Sequence, residues 1–561
     1  MLKRFLYITG VAIVFATPAC KKQLNVGNPN EPTLDVNVTN ETGIIALAQG
    51  GVYINGFYNG DSWLGDSYFS LPWGYAELLA DNVGADAANQ QISGVGLPLY
   101  YKLDDGTRVD NTVSQRILLR SYNSRAATGQ GNNVYYYQWL NMYAMNNMCN
   151  IVLSRVDAIP FEGDAAARAN TIKAWCYWWK GYAYASIGSM YYSGLISDIP
   201  NFSADPAGTN NLYLLHDAII AESDNNFNKA KDILGSIGSL GDYEEVLGRL
   251  IPAFCQVDHG GVLTPDMWIR NINTMLARNI LLNKLAPFVN GDPNASMTGA
   301  SIPEMGTSDW QNVLNLATNG IKESDYVFTG QTLDVNGFFT PSGGSVAALT
   351  TGVNTSSTFE ITERFVQNFK AGDKRFDNNF DASTTHLQDF VYTTRYSIID
   401  GGNGMPGVYV YGNNTVGEYE LYIAGSYEEN ALMLAEANIR TGNIDDGLNY
   451  IDDVRDYQGA GVAHVSGTGL NESQALQEFV QERRVALVFR GLSFYDSRRW
   501  GWTYSVDHGG GSYGNVLVTP DLVVHNNVLI NYDFLDYWDV PADESDLNPP
   551  SDDSAPLVNP N

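Results

Sequence analysis

The sequence predicts a mainly helical protein, in which a helical frame carries a loop-rich insertion near the middle of the chain. Three observations support this prediction. Wide apolar and aromatic stripes recur at helical spacing before residue 200, a clear helix pair follows residue 426, and residues from about 285 to 420 are rich in Gly, Asn, Ser, Thr and Asp. The chain has 561 residues, 44% of them hydrophobic, which is enough for a large buried core.

The N-terminus has the pattern of a secretory signal. Lys3 and Arg4 precede an apolar run over 5–16 that is too short to span a bilayer as a helix. Small residues then end on Cys20, as in a bacterial lipoprotein signal, although a threonine replaces the usual leucine three positions before the cysteine. We therefore expect Cys20 to become the lipidated first residue; the alternative is an ordinary signal with an incidental cysteine.

Three segments follow from this reading. Residues 1–19 are a lipoprotein signal peptide, and residues 20–40, which are polar, contain two prolines and lack periodicity, form a flexible lipid-anchored tether. Residues 41–561 form the folded domain. More than one acyl chain would hold the protein stably to a membrane.

The charge excludes two classes of partner. The chain has 32 Lys and Arg against 62 Asp and Glu, a formal charge of −30, and removal of the two basic signal residues leaves −32. Such a field repels phosphates, so we expect no nucleic acid partner and no docking on anionic lipid. Aromatic residues make up 12% of the chain, too many for a disordered acidic protein.

Two aromatic stripes define core helices. The first face comprises Trp139, Met142, Tyr143, Asn146, Cys149 and Leu153, and the second comprises Ile172, Trp175, Trp179, Tyr182, Ser186 and Met190. A further helix-like segment, 309–323, begins beside Trp310, which we expect to pack against it. Three cysteines remain after Cys20, without a C-x-x-C pair, so neither a disulfide framework nor a metal site is predicted, and Cys149 and Cys176 are interpreted as buried thiols.

The C-terminal part, about 426–500, contains repeat-like helices. Residues 427–440 are dense in helix formers, Thr441 and Gly442 supply a stop, and 444–455 continue at helical spacing. With small residues such as Ala431 and Ala435 where the two helices cross, this pair resembles a tetratricopeptide hairpin. The rest of the sequence contains no clean 34-residue repeat.

The string ERRVALVFRGLSFYDSRRW, 482–500, is the most distinctive part of the sequence. Several arginines and two acids lie among aromatic residues, which predicts a partly buried network of ion pairs and hydrogen bonds that joins two helices.

This string resembles the hallmark of the SusD/RagB family, the nutrient-binding outer-membrane lipoproteins of Bacteroidetes. Residues 173–196, 426–455 and 537–548 resemble other family segments in the same order. The resemblance implies an all-α fold, a tetratricopeptide-like helical-repeat scaffold with a loop-rich ligand-binding insertion. It also implies a SusC-like TonB-dependent transporter as partner, attachment to the outer membrane with surface exposure, and no catalysis.

A search for catalytic chemistry finds little. Residues 510–514 satisfy G-x-S-x-G, but the strand before the serine and the helix after it are not indicated. The six histidines have no metal-ligand spacing and the phosphate-binding glycine pattern is incomplete, so no metal and no cofactor are predicted. An extracytoplasmic hydrolase using Ser512 remains the weaker alternative.

Binding is the chemistry that the composition favours. A sugar presents apolar ring faces and a fringe of hydroxyls, which aromatic side chains and Asn, Asp, Gln or Arg hold together. Aromatic residues outside the helical stripes are the candidate ligand-binding residues: Trp63, Tyr68, Trp73, Tyr100, Tyr101, Phe338 and Phe339. We expect an oligosaccharide or polysaccharide ligand; a peptide ligand and a scaffold lipoprotein that binds only protein are the alternatives.

Overall fold

A computed structural model describes most of the folded part of the chain. The described residues are 38–57, 68–69, 71–85, 94–111, 113–124, 133–200, 211–331, 359–387, 393–413, 415, 417–418 and 420–561. Cys20, the signal peptide and most of the predicted tether lie outside them. Helices predominate, as the sequence predicts.

The helices of the first half are α1 (Glu41–Phe57), α2 (Leu71–Leu79), α3 (Gln115–Tyr122), α4 (Tyr136–Arg155), α5 (Ala165–Met190), α6 (His216–Leu234), α7 (Leu240–Leu250) and α8 (Pro265–Leu282). Those of the second half are α9 (Thr307–Thr318), α10 (Glu363–Val366), α11 (Lys374–Asn379), α12 (Tyr427–Arg440), α13 (Ile444–Tyr457), α14 (Glu472–Ala486), α15 (Ser493–Arg499) and α16 (Ala542–Ser545).

The longer helices pack side by side in one row. Helix α1 contacts α4, which contacts α5, and the row continues through α6, α8, α9 and α12 to α13 and α14. Each helix thus buries its apolar face mainly against its neighbours, as in helical-repeat proteins. The predicted helical fold with a tetratricopeptide-like scaffold is confirmed.

The two aromatic stripes lie on α4 and α5, two neighbouring helices near one end of this row. Trp139, Met142 and Cys149 on α4, and Trp175 and Trp179 on α5, have almost no exposed surface. Trp175 and Trp179 meet edge to face with ring centroids 5.6 Å apart. All three cysteines of the described part, Cys149, Cys176 and Cys255, are buried and form no disulfide with one another, and burial of the first two was predicted.

The predicted helix pair is also confirmed. Helix α12 ends at Arg440, and Gly442 follows with a φ of +90°, a conformation that glycine adopts without strain. Helix α13 then packs back on α12, and α14 packs on both. Trp310 is buried at the start of α9, which ends at Thr318, before the predicted end of that segment.

The arginine-rich string forms the expected network, and nearly all of it is buried. Arg483 on α14 binds Asp496 on α15 at 2.8 Å, and Arg499 binds the other oxygen of Asp496 at 2.7 Å. Arg499 also reaches Glu436 on α12 at 2.7 Å, so three helices are joined. Charge-assisted hydrogen bonds of this kind fix both distance and orientation.

A six-stranded antiparallel sheet is the feature that the sequence did not predict. Its order is β3 (Arg108–Asp110), β2 (Tyr100–Lys102), β12 (Val524–Asn531), β11 (Ser512–Val518), β9 (Thr393–Ile398) and β8 (Phe380–Leu387). The strands come from three distant parts of the chain, and β2 pairs with β12 in the register Tyr101 to Ile530. Such short segments lack a period-2 signal strong enough to reveal pairing over more than 400 residues.

The remaining strands form three antiparallel pairs. These are β1 (Val83–Ala85) with β7 (Phe359–Ile361), β4 (Ser193–Leu195) with β5 (Tyr213–Leu215), and β6 (Thr329–Gln331) with β10 (Glu420–Tyr422). The expected insertion, about 285–420, thus contains α9 to α11 and several strands, and its residues 332–358 lie outside the described ranges.

Candidate functional site

A cavity of about 500 Å³ lies between α14, β11, the end of α2 and the segment after α10. It has the size of a small-ligand site, for which 300–1,000 Å³ is usual. Residues 288–291, the stretch 497–503 and Tyr532 also line it, so several parts of the chain that are separate in sequence form its walls.

Helix α14 contributes one wall. Gln477, Val480, Gln481 and Arg484 face the cavity, and their spacing of three and four residues places them on one side of the helix. Gln477 is exposed and Gln481 is half-buried, and neither amide forms a hydrogen bond with the described residues. Both amides can therefore donate to and accept from a ligand.

Strand β11 contributes the opposite wall. Its pairing with β12 shifts register between Ser512 and Asn515, which is a β-bulge, and Gly514 has a φ of +70°. The bulge lies beside Tyr513, whose ring is 37% exposed. A half-exposed ring at the rim of a cavity offers a flat apolar surface to a ligand.

An ion pair stabilises the third wall. Arg364 donates from Nε and Nη2 to the two carboxylate oxygens of Asp81, at 2.8 and 3.0 Å, and the Tyr532 hydroxyl donates to Asp81 at 2.7 Å. All three side chains are buried. Such a bidentate pair rigidifies the wall without leaving a net charge.

Trp502 completes the cavity. The indole donates from Nε1 to the carbonyl of Phe288 at 3.2 Å, and the Arg484 guanidinium lies 5.3 Å from its ring centroid. The hydroxyls of Ser497 and Thr503, also on the cavity wall, are buried and make no hydrogen bond within the described part of the chain. Buried hydroxyls without partners are uncommon, and a polar ligand or water would satisfy them.

These groups suit binding better than catalysis. Ser512, the serine of the G-x-S-x-G match, exchanges hydrogen bonds with the Asn515 amide at 3.1–3.2 Å, and it begins a strand instead of joining a strand to a helix. The turn of a nucleophile elbow is therefore missing, as the sequence indicates. Among the described residues, no group of His, Cys, Asp and Glu could hold a metal ion.

The structure does not bring the sequence-predicted ligand residues together. Tyr68 and Trp73 are buried beside a much smaller cavity of about 40 Å³, where the Tyr68 hydroxyl donates to Ser186 at 3.1 Å. Tyr101 is buried in the sheet. These three rings therefore pack in the core. Trp63, Phe338 and Phe339 lie outside the described residues, so their assignment stays a prediction.

Tyr100 is the one predicted ligand residue in the described part of the chain that stays partly exposed. Its ring is half-buried on β2, with the Arg108 guanidinium 3.8 Å from the ring centroid. Burial raises the pKa of the Tyr100 phenol, Arg108 lowers it, and Asp507 and Tyr513 are close enough to act on it electrostatically. Tyr100 is thus positioned to extend the rim beside Tyr513.

Sequence reasoning missed the residues that line the main cavity. Trp502 follows the arginine-rich string directly, and Gln477 and Gln481 precede it on α14. The polar residues of α14 have helical spacing, a signal that could have indicated a second face besides the one that joins the helices. No sequence pattern indicated that α14 would lie opposite strand β11.

Comparison with known proteins finds a family match over part of the chain and a shared fold over most of it. The model of the SusD family matches residues 427–549, which include α12 to α16 and strands β11 and β12 of the sheet. No curated protein matches the chain in sequence. The family match bears out the resemblance to the SusD/RagB family over the C-terminal part of the chain.

Several solved structures share the fold over nearly the whole chain. A SusD-like carbohydrate binding protein from Bacteroides vulgatus is 16% identical, with a TM-score of 0.52 over 92% of this chain and 98% of its own. A SusD superfamily protein from Parabacteroides distasonis is 13% identical, with a TM-score of 0.54 over 91% and 97%. Another from Bacteroides fragilis is 11% identical, with a TM-score of 0.53 over 92% and 99%.

Within the described ranges, no helix combines the length and the apolar character needed to cross a bilayer.

Proposed function

We propose that this protein is a carbohydrate-binding protein that holds an oligosaccharide in the 500 Å³ cavity and does not cleave it. The observation that carries the proposal is the combination of two accessible rings, Trp502 and Tyr513, with two unbonded amides, Gln477 and Gln481, around one cavity. Rings stack on sugar faces and amides bind the hydroxyls at the edge. The SusD family match and the solved carbohydrate-binding relative support the same class of ligand.

Isothermal titration against a panel of oligosaccharides and peptides tests this function. We expect heat from at least one oligosaccharide and none from the peptides. Trp502→Ala and Tyr513→Ala should each weaken binding at least about 5-fold, because stacking on an aromatic ring contributes about 1–3 kcal/mol in other complexes of flat ligands.

A matched control is Tyr326→Ala, which removes a ring that is 44% exposed and does not line the cavity. It should leave binding unchanged. Binding that survives both cavity substitutions would contradict the site, and heat from peptides alone would favour the peptide alternative.

We further propose that the protein is attached to the outer membrane through lipid on Cys20 and delivers its ligand to a SusC-like TonB-dependent transporter. The lipoprotein-like N-terminus and the family match support this proposal. Cys20→Ser should move the protein from the membrane fraction to the soluble fraction, while the wild type should co-purify with a TonB-dependent barrel. Equal membrane retention of both forms would refute the anchor.

A further inference from the structure

The charges around the cavity differ from those of the protein as a whole. The chain has almost twice as many acidic as basic residues, yet the cavity is lined by two arginines and, among the described residues, by no Asp or Glu. Because Asp81 neutralises Arg364 in a bidentate pair, the charge of the cavity depends on Arg484.

Arg484 has no carboxylate partner. Its Nη2 donates to the Asn82 side-chain oxygen at 2.7 Å and to the carbonyl of Ala80 at 3.4 Å, and its Nε makes no hydrogen bond with the described residues. The side chain is more than nine-tenths buried. A guanidinium keeps its charge in proteins, so this one is a buried cation bonded only to neutral acceptors.

The nearest acids are engaged elsewhere. Asp81 is held by Arg364, and Asp496 accepts from Arg483 and Arg499. Glu77 accepts hydrogen bonds from Asn82, Ser493 and the Phe489 amide, and burial raises its pKa to about 7, so it is only partly ionised near neutral pH. The cavity therefore has an excess of positive charge.

We propose, resting on the proposed carbohydrate-binding function, that the cavity takes an acidic sugar whose carboxylate binds Arg484. A carboxylate offers a guanidinium two acceptors in matching geometry, which a hydroxyl does not. It would also offset the cost of a buried charge without a partner. The Ser497 and Thr503 hydroxyls also line the cavity and can donate further hydrogen bonds. Trp502 lies beside Arg484, where its indole can stack on the face of the sugar ring.

The test is a titration of the full mature chain with oligogalacturonate, oligomannuronate and oligoglucuronate, each paired with its carboxyl-reduced counterpart. Reduction removes the charge and keeps the ring and the linkage. We expect one acidic oligosaccharide to bind at least about 10-fold more tightly than its reduced form. Arg484→Gln should remove this preference, Arg484→Lys should retain part of it, and Arg249→Gln, on α7 away from the cavity lining, should leave it intact.

A second measurement uses the wild-type protein, so it does not depend on whether a variant folds. In 500 mM NaCl, which screens the long-range repulsion between the acidic protein and the ligand, the wild type should still prefer the acidic form over the reduced form, because a contact between buried charges is screened little. Equal affinity for both forms, a preference that Arg484→Gln leaves intact, or no binding by any acidic member would overturn the inference. Binding of a neutral oligosaccharide that requires Trp502 would still support the proposed function, so the two proposals fail separately.

Discussion

Replacing Asp496 by Asn tests whether the arginine-rich string stabilises the helical frame. Asp496 is the carboxylate that Arg483 binds, and the Arg483 Nη atoms make no hydrogen bond within the described residues. Arg499 would keep Glu436 at 2.7 Å, whereas Arg483 would become a buried cation without a counter-charge. Breaking a buried pair on one side costs about 3–5 kcal/mol in other proteins, so we expect a loss of that order in the free energy of unfolding.

Urea titration followed by tryptophan fluorescence measures this loss, and two variants show its cause. Asp110→Asn breaks an ion pair with Arg108 in which both side chains are more than half exposed, so no measurable change is expected. The double variant Arg483→Met with Asp496→Leu removes both charges and should recover much of the stability, since the penalty comes from the uncompensated charge. A loss below about 1 kcal/mol for Asp496→Asn would refute the reasoning.

Three further predictions concern single positions. Gly491→Ala should lower the melting temperature measured by calorimetry, because the φ there is +69° and a Cβ would lie 2.7 Å from the Trp73 ring. Gly404→Ala, at a φ of +73° but with open space around the Cβ, should lower the melting temperature less. Equal shifts for the two variants would contradict the effect of crowding. Burial raises the pKa of Glu77 from an ordinary 4.5 to about 7, so this group stabilises the fold below about pH 4.5 and loses that contribution as the pH rises through 7. Between pH 5 and 8 the free energy of unfolding of the wild type should therefore fall by about 3 kcal/mol more than that of Glu77→Gln. Parallel pH profiles of the two proteins would oppose this prediction. The wild type should leave oligosaccharides uncleaved, and hydrolysis that Ser512→Ala abolishes would establish an enzyme instead.

The helical frame was predictable because its signals are local. The α4 and α5 stripes, the α12–α13 pair and the Gly442 stop each depend on residues within a few turns of one another. The arginines and acids of 482–500 predicted a buried network for the same reason, since they lie close together in the sequence. Glu436 and Arg375, which also belong to the network, come from distant segments.

The candidate site was not predictable in this way. Aromatic side chains are typical of sugar-binding sites, but tertiary packing buries Tyr68, Trp73 and Tyr101. No local sequence pattern distinguishes a ring that stacks on a sugar from one that packs against another ring. The rings that line the cavity, Trp502 and Tyr513, do so because helix α14 faces a bulged strand of the sheet.

The sequence by itself determined the helical class, the acidic net charge, and the resemblance to the SusD/RagB family. Only the tertiary structure decided that strands near residues 100, 390 and 520 form one sheet, and that Arg484 lies on a cavity wall without a carboxylate partner. The physical reason is range: helical periodicity and capping act over a few residues, whereas strand pairing and the charge of a cavity depend on groups hundreds of residues apart that meet only when the chain folds.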